Sequence, residues 1–314
     1  MRLLITGASG FVGRALCLEA VARGLNVRAA SRSCAIFPTA IQSVAAVNID
    51  GATDWLDALR DCDVVVHLAA RVHVMHETTT DPLAEFRKVN VEGTLSLARQ
   101  AAQAGVRRFV FTSSIKVNGE STYGSCRFAH DDTPAPEDAY GLSKAEAESG
   151  LRQLAQETGM EVAIIRPPLV YGPGVKGNFT NLLIWVGRGL PLPLGAVTQN
   201  RRSLVGLDNL VDLILTCVAH PKAANQTFLV SDGEDLSTMD LLQRIGKAMN
   251  RPARLLPVPI DLLAFVARLM GKKDVAQRLL GSLQVDIGKT CALLNWKPQV
   301  SVDEGLRRAV KLGV

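Results

Sequence analysis

The sequence predicts an α/β fold, a doubly wound parallel sheet followed by a smaller, partly interleaved domain. Three observations predict it. Six short apolar runs alternate with helical patterns over the first half of the chain. The glycines of the first strand–helix turn fall as G-x-x-G-x-x-G. The texture then changes after Arg166-Pro167-Pro168, where Pro and Gly rise and short helices mix with isolated strand-like pieces. Uniformly apolar runs separated by helices mark strands that lie parallel and are covered on both faces.

The first strand is Arg2-Leu-Leu-Ile5, and it runs into Thr6-Gly7-Ala8-Ser9-Gly10-Phe11-Val12-Gly13 and a helix over about 11–23 that Gly24 ends. Gly7 permits the tight turn, Gly10 lets a pyrophosphate approach the backbone, and Gly13 lets the helix sit close to the strand. The helix start, with Ser9, Phe11 and Val12, then faces the phosphates of a dinucleotide, as in a Rossmann-type fold. Further strands are expected at Asn26–Ala30, Val44–Val47, Val64–Leu68, Arg108–Phe111 and Val162–Ile165, with helices over 54–60, 82–104 and 138–158. Residues 1–165 form the expected dinucleotide-binding domain. Residues 166–314 form mainly the substrate domain over the carboxyl ends of the strands, where ligands of such sheets bind. Strand pieces at Ser203–Val205 and Thr227–Val230 are expected to return to the first domain. The apolar stretch Leu255–Met270 is broken by Pro257, Pro259, Asp261 and Arg268, so it reads as an amphipathic helix of the small domain and not as a bilayer span.

Composition bounds the function. A chain of 314 residues with 47% hydrophobic content can bury a substantial core. The net charge of +5 is mild and dispersed. It suits an anionic small molecule and, with no dense basic stripe interleaved with aromatics, argues against nucleic acid. Cys17, Cys34, Cys62, Cys126, Cys217 and Cys291 are far apart with no C-x-x-C pair, which fits buried thiols in a reducing compartment. His73 and His76 lack a set of partner ligands, so no metal is expected. A strand starting at residue 2 leaves no room for a signal peptide, and a cytoplasmic location is the expectation.

Chemistry enters at Tyr140-Gly-Leu-Ser-Lys144. Residues four apart on a helix lie one turn apart on one face, so an ammonium stands beside a phenol. A nearby cation can lower a phenol pKa from ~10 by roughly 1–3 units. The tyrosine then becomes a usable acid or base at a sugar hydroxyl.

Six motifs now stand in one order: Gly7-Ala-Ser-Gly-Phe-Val-Gly13, His67-Leu-Ala-Ala70, Asn90-Val-Glu-Gly-Thr94, Thr112-Ser-Ser114, Tyr140-x-x-x-Lys144 and Arg166-Pro-x-x-Val-Tyr-Gly-Pro173. With the ending Leu294-Asn-Trp-Lys-Pro298, the chain resembles the extended short-chain dehydrogenase/reductases over essentially its whole length. These are nucleotide-sugar epimerases, dehydratases and ketoreductases. The resemblance implies that Tyr140 exchanges the proton at C4 while hydride moves, that Lys144 holds the nicotinamide ribose and lowers the Tyr140 pKa, and that Ser114 bonds the same oxygen. It implies that Leu68, Ala69 and Ala70 line the ribose and that Asn90 supports the neighbouring helix. Asp50 and Gly51 would meet the adenine, and Thr112 and Pro167 complete the implied cofactor set. Asn178 and Arg201 align with residues that bind the UDP group, while Arg278 is the nearest match to a second diphosphate arginine and stands out of register. A homodimer through two helices of the first domain is also implied.

Two departures from the family pattern bear on the reaction. Ile115 replaces the acid that dehydratases carry after the catalytic hydroxyl, which disfavours a dehydratase. Ser31-Arg32 replaces the acidic residue of NAD-preferring members, and a guanidinium with a hydroxyl suits the 2′-phosphate of NADP(H), with NAD(H) still possible. The favoured reading is therefore an NADP(H)-dependent 4-ketoreductase of UDP-4-keto-6-deoxy-N-acetylhexosamines in surface-polysaccharide synthesis. This matches the similarity of Ser113-Ser-Ile-Lys-Val-Asn-Gly119 and Gly281-Ser-Leu-Gln-Val-Asp286 to that branch. A UDP-hexose or UDP-N-acetylhexosamine 4-epimerase with bound NAD is the alternative. A non-catalytic dinucleotide sensor is the distant one, since such proteins usually lose the Tyr/Lys pair.

Overall fold

The structure, a computed structural model, describes residues 1–32, 37–45, 48–72 and 81–311, apart from the side chains of 273 and 274. Cys34, His73, His76 and the end of the expected Val44–Val47 strand lie outside the described residues.

The chain opens with β1 (Arg2–Thr6), α1 (Phe11–Ala22), β2 (Asn26–Ser31), β3 (Ile41–Ala45), α2 (Leu56–Leu59) and β4 (Val64–His67). Then come α3 (Pro82–Arg87), a π-helical turn over Lys88–Gly93, α4 (Thr94–Gln103), β5 (Arg108–Thr112), a 3-10 turn over Ile115–Val117, α5 (Ala139–Thr158) and β6 (Glu161–Arg166). The remainder holds β7 (Leu169–Tyr171), α6 (Asn178–Gly187), β8 (Arg202–Gly206), α7 (Leu207–Ala219), β9 (Gln226–Leu229), β10 (Asp235–Leu236), α8 (Thr238–Ala248), α9 (Ile260–Leu269), α10 (Lys273–Leu280), α11 (Gly288–Leu294) and α12 (Val302–Lys311).

Seven strands form one parallel sheet in the order β3-β2-β1-β4-β5-β6-β9. Alternation explains why these runs are apolar throughout. Leu3, Ile5, Val64, Val66 and Val110 face a core shared with α1 and α7. Leu4, Val65, Phe109 and Phe111 face the opposite core shared with α4 and α5. The strand order reverses between β1 and β4, which opens a crevice at their carboxyl ends. A second sheet, β10-β8-β7, sits with α6, α8 and α12 around a third core. Of the two strand pieces, β9 joins the large sheet beside β6, while β8 pairs with β7 and β10 in the small one.

Two elements differ from the sequence reading. The expected helix over 82–104 contains the π turn, which places Asn90 and Gly93 on its buried side. A Cβ on Gly93 would lie 2.9 Å from the Ile49 side chain, so the close approach needs glycine. The stretch Leu255–Met270 yields a helix only from Ile260, and none of the ten residues of α9 is buried. Within α9 only half-buried Leu263 packs on the third core, so most of the helix's apolar character does not come from a place in it.

Candidate active site

The glycine turn works as the spacing requires. Gly7 has φ 67°, and a Cβ there would lie 2.8 Å from the Ala69 nitrogen. A Cβ on Gly13 would lie 2.1 Å from the Gly7 carbonyl oxygen, so α1 could not start where it does. The Gly10 N–H donates to the Gly7 carbonyl, and Gly10 caps α1, whose first free N–H groups point out of the turn. The segment Leu68–Ala70 is tied to this turn: the Leu68 N–H donates to the Thr6 carbonyl and the Ala69 N–H to Thr6 Oγ1. Such a cradle fits a dinucleotide pyrophosphate, which a side chain would displace.

His67 acts as a strut. Its ring bridges Thr6 Oγ1 at 2.7 Å and Thr94 Oγ1 at 3.0 Å, stacked on Phe111. Burial, with Lys144 nearby, pushes its pKa down to about 3, so it stays neutral and links β1 to α4.

Asp138 caps α5 by accepting from the Gly141 N–H at 2.6 Å, which orients the first turn carrying Tyr140. The Tyr140 ring meets Phe86 edge-on at 6.0 Å, and its hydroxyl lies on the side of Ser114. Burial and the Asp138 charge raise the phenol above its ordinary value, and the polar Ser114 hydroxyl works against them. Lys144 is fully buried. Its ammonium donates to the Thr112 carbonyl at 2.9 Å and lies 4.4 Å from the Phe111 ring centre. Burial draws it down to about 7, opposed by Glu148. The sequence reading has Lys144 lowering the Tyr140 pKa. In the structure the ammonium is directed at Thr112 and Phe111, and the neighbour that acts to lower the phenol is Ser114.

Ser114 starts the 3-10 turn, its Oγ accepting from the Lys116 N–H at 3.2 Å. The Ile115 N–H donates to the Pro167 carbonyl, which pins that turn to the end of β6. Thr112 Oγ1 is buried with no hydrogen-bond partner among the described residues, an orphan that a bound group could satisfy. Asn90 is buried too. Its Nδ2 donates to the Arg71 carbonyl and to Ser143 Oγ, its Oδ1 accepts from the Arg71 N–H, and Ser143 donates onward to the Tyr140 carbonyl. Asn90 thus meets protein partners and acts as a support.

Other expected residues are placed more loosely. Ser31 ends β2 and is buried, with exposed Arg32 beside it. Asp50 accepts from Thr53 Oγ1 and the Ala52 N–H in a local turn, with Gly51 exposed next to it. Asn178 is exposed at the first turn of α6. The guanidinium of Arg201 donates to the carbonyls of Thr198 and Asn200, so it folds back on its own loop. Arg202, which the sequence reading passed over, donates to the Gly281 carbonyl, and burial with the nearby Arg278 charge lowers it to about 10. The guanidinium of Arg278, from α10, is thus near enough for its charge to act on Arg202 of β8. Beside them a cleft of about 640 Å³ opens between Asn118–Gly124 and Gln277–Ser282.

Glu148 is a further residue the sequence reading missed, although its signal was present: Tyr140, Lys144 and Glu148 continue the four-residue spacing. It is fully buried, receives both arms of Arg166 (2.9 and 2.6 Å) and the Ser113 hydroxyl (2.6 Å), and these partners hold its carboxyl below its usual range. Among the described residues no cluster of His, Cys, Asp or Glu could hold a metal, and no helix is long and apolar enough to cross a membrane.

Known proteins resemble this chain in sequence and in fold. A family model described as the NAD dependent epimerase/dehydratase family matches residues 3–231. A protein from Vibrio cholerae, UDP-glucose 4-epimerase, is 47% identical over 309 residues, covering 98% of this chain and 94% of that one. Among solved structures, UDP-glucose 4-epimerase from Thermotoga maritima, determined with UDP-glucose, superposes with a TM-score of 0.79 at 22% identity, over 99% of this chain and 98% of that one. UDP-glucuronic acid 4-epimerase from Bacillus cereus, determined with NAD, gives 0.79 at 20% identity over 100% and 98%. These last two share the fold. With the family model spanning the sheet and the near-full-length relative at 47%, the chain belongs to the NAD dependent epimerase/dehydratase family of extended short-chain dehydrogenase/reductases.

Proposed function

We propose that the protein is a UDP-hexose 4-epimerase that works with bound NAD. The observation that carries this reading is the Ser114–Tyr140 hydroxyl pair, set on two elements that neighbouring contacts hold rigid, in a chain 47% identical over nearly its full length to a UDP-glucose 4-epimerase. The residue after Ser114 is buried Ile115, so no acid stands ready to expel water from a sugar.

The glycine cradle and the orphan Thr112 hydroxyl fit a dinucleotide, and Lys144, now held on the Thr112 carbonyl, is the residue that would hold its ribose. A nicotinamide there supplies the acceptor and donor of hydride. Tyr140 takes the proton from the C4 hydroxyl and returns it to the same oxygen, whichever face of the sugar is presented. Ser114 holds that oxygen in both directions. Arg202 and Arg278 suit the diphosphate, which relieves their mutual repulsion, and this pair replaces Arg201 in that role. An epimerase has no net redox change, so this reading takes NAD in place of NADP(H).

One observation favours the ketoreductase as a second reading: Arg32 is exposed at the carboxyl end of β2, within reach of the 2′ position in such folds. The experiment is product analysis by NMR after incubating purified protein with UDP-glucose and with UDP-N-acetylglucosamine, no cofactor added. Conversion to the C4 epimer supports the proposal. Oxidation of NADPH on a UDP-4-keto-6-deoxy-N-acetylhexosamine, without epimer formation, overturns it in favour of the reductase.

A further inference from the structure

We propose that α9 docks the protein onto an anionic lipid surface. Eight of its ten residues, Ile260-Asp-Leu-Leu-Ala-Phe-Val-Ala-Arg-Leu269, are apolar, yet none is buried. Leu262, Phe265, Val266 and Leu269 are 51, 59, 43 and 72% exposed. They recur at i, i+3, i+4 and i+7, so they form one continuous stripe. Met270 after the helix and Leu256 before it are exposed as well. The helix holds to the protein through another side, where half-buried Leu263 packs on the small-domain core. α9 therefore has two apolar faces, and the protein covers one. A helix that needed only to shield the core would carry polar residues on its outer stripe, and a contiguous apolar patch of this kind marks an interaction surface.

Charge decides what covers it. From Arg251 to Lys272 the chain carries four cations, Arg251, Arg254, Arg268 and Lys272, against one acid, Asp261. All four cations are exposed. An apolar stripe flanked by cations matches a bilayer interface, with the stripe at the acyl boundary and the cations among headgroup phosphates. A second copy seated on the same face across a two-fold axis would instead bring like cations against their symmetry mates. Ten residues are too few to span a bilayer, so the helix would lie in the plane of the interface.

The experiment is vesicle co-sedimentation of the full chain at low and high salt. One vesicle is phosphatidylethanolamine with phosphatidylglycerol, the other phosphatidylcholine alone. Wild type is expected to sediment with the anionic vesicles and to be released by salt. Phe265→Glu with Leu269→Glu is expected to reduce the bound fraction at least about fivefold, with thermal unfolding unchanged because both side chains are exposed. Should that variant fold poorly, Arg268→Glu with Lys272→Glu is expected to weaken binding to the anionic vesicles and leave the stripe intact. Equal sedimentation of wild type and variants, or none with either vesicle, overturns the proposal. So does a halving of the lipid-free mass of the stripe variant in ultracentrifugation, which would assign the stripe to a second copy.

Discussion

The Lys116 ammonium lies 2.5 Å from a carboxylate oxygen of Asp138, and this ion pair ties the turn that carries Ser114 to the cap of the helix that carries Tyr140. Both hydroxyls of the candidate site thus share one electrostatic brace. Asp138 raises the Tyr140 phenol, and Lys116 offsets part of that charge.

Lys116→Met is therefore expected to leave Asp138 less compensated and to move the phenol further up. The rise of kcat with pH then shifts to higher pH by up to roughly one unit. Asp138→Asn, which keeps a cap, is expected to move it the other way. Parallel pH–kcat profiles check both signs, and shifts in one direction for the two variants would contradict the brace.

Tyr140→Phe removes the phenol hydroxyl that the proposed reaction uses to exchange a proton beside Ser114. The expected loss in kcat is about 10²–10⁴-fold, with dinucleotide binding unchanged. Single-turnover kinetics and a fluorescence titration with the dinucleotide separate the two effects.

Glu148→Gln leaves the Arg166 guanidinium buried without its counter-charge. Breaking one side of such a pair costs about 3–5 kcal/mol, so Tm is expected to fall by roughly 5–8 °C. The folded carboxyl titrates below the unfolded one, so the unfolded chain binds more protons as pH drops. The stabilisation is full at neutral pH and is lost on acidification below the ordinary carboxylate range. Calorimetry against pH should show the wild-type advantage shrinking toward acid. Asp57→Asn in the exposed Arg60–Asp57 pair is expected to change stability by less than about 1 kcal/mol.

Gly13→Ala would put a methyl 2.1 Å from the Gly7 carbonyl oxygen. Either α1 or the glycine turn must move, and dinucleotide affinity is expected to fall at least about tenfold. Equilibrium binding by calorimetry reads this directly, with circular dichroism as the fold control.

The sheet is legible in the sequence because its central strands are buried on both faces and leave uninterrupted apolar runs at Val64–Val66 and Phe109–Phe111. The edge strand β3 is less legible. It pairs only with β2, exposes Gln42 and Ser43, and covers Ile41–Ala45 in place of the expected Val44–Val47. The glycine turn and the Tyr140–Lys144 spacing are visible because each is local in sequence. Lys116–Asp138 and Arg202–Arg278 join separate segments, and only the fold brings them together. The direction of the Lys144 ammonium is equally hidden, since it depends on a carbonyl and a ring from β5.

Asn90 clamps the main chain of Arg71 with one end of its amide and reaches Ser143 from the same nitrogen. The loop leaving β4 and the first turns of α5 therefore share a common mount. When either moves, the other is carried along, which would preserve the spacing between Tyr140 and a nicotinamide held as proposed beside Leu68–Ala70. Under the proposed function, alignment at the reacting carbon would thus depend on a single amide side chain that serves as a joint between two otherwise separate segments.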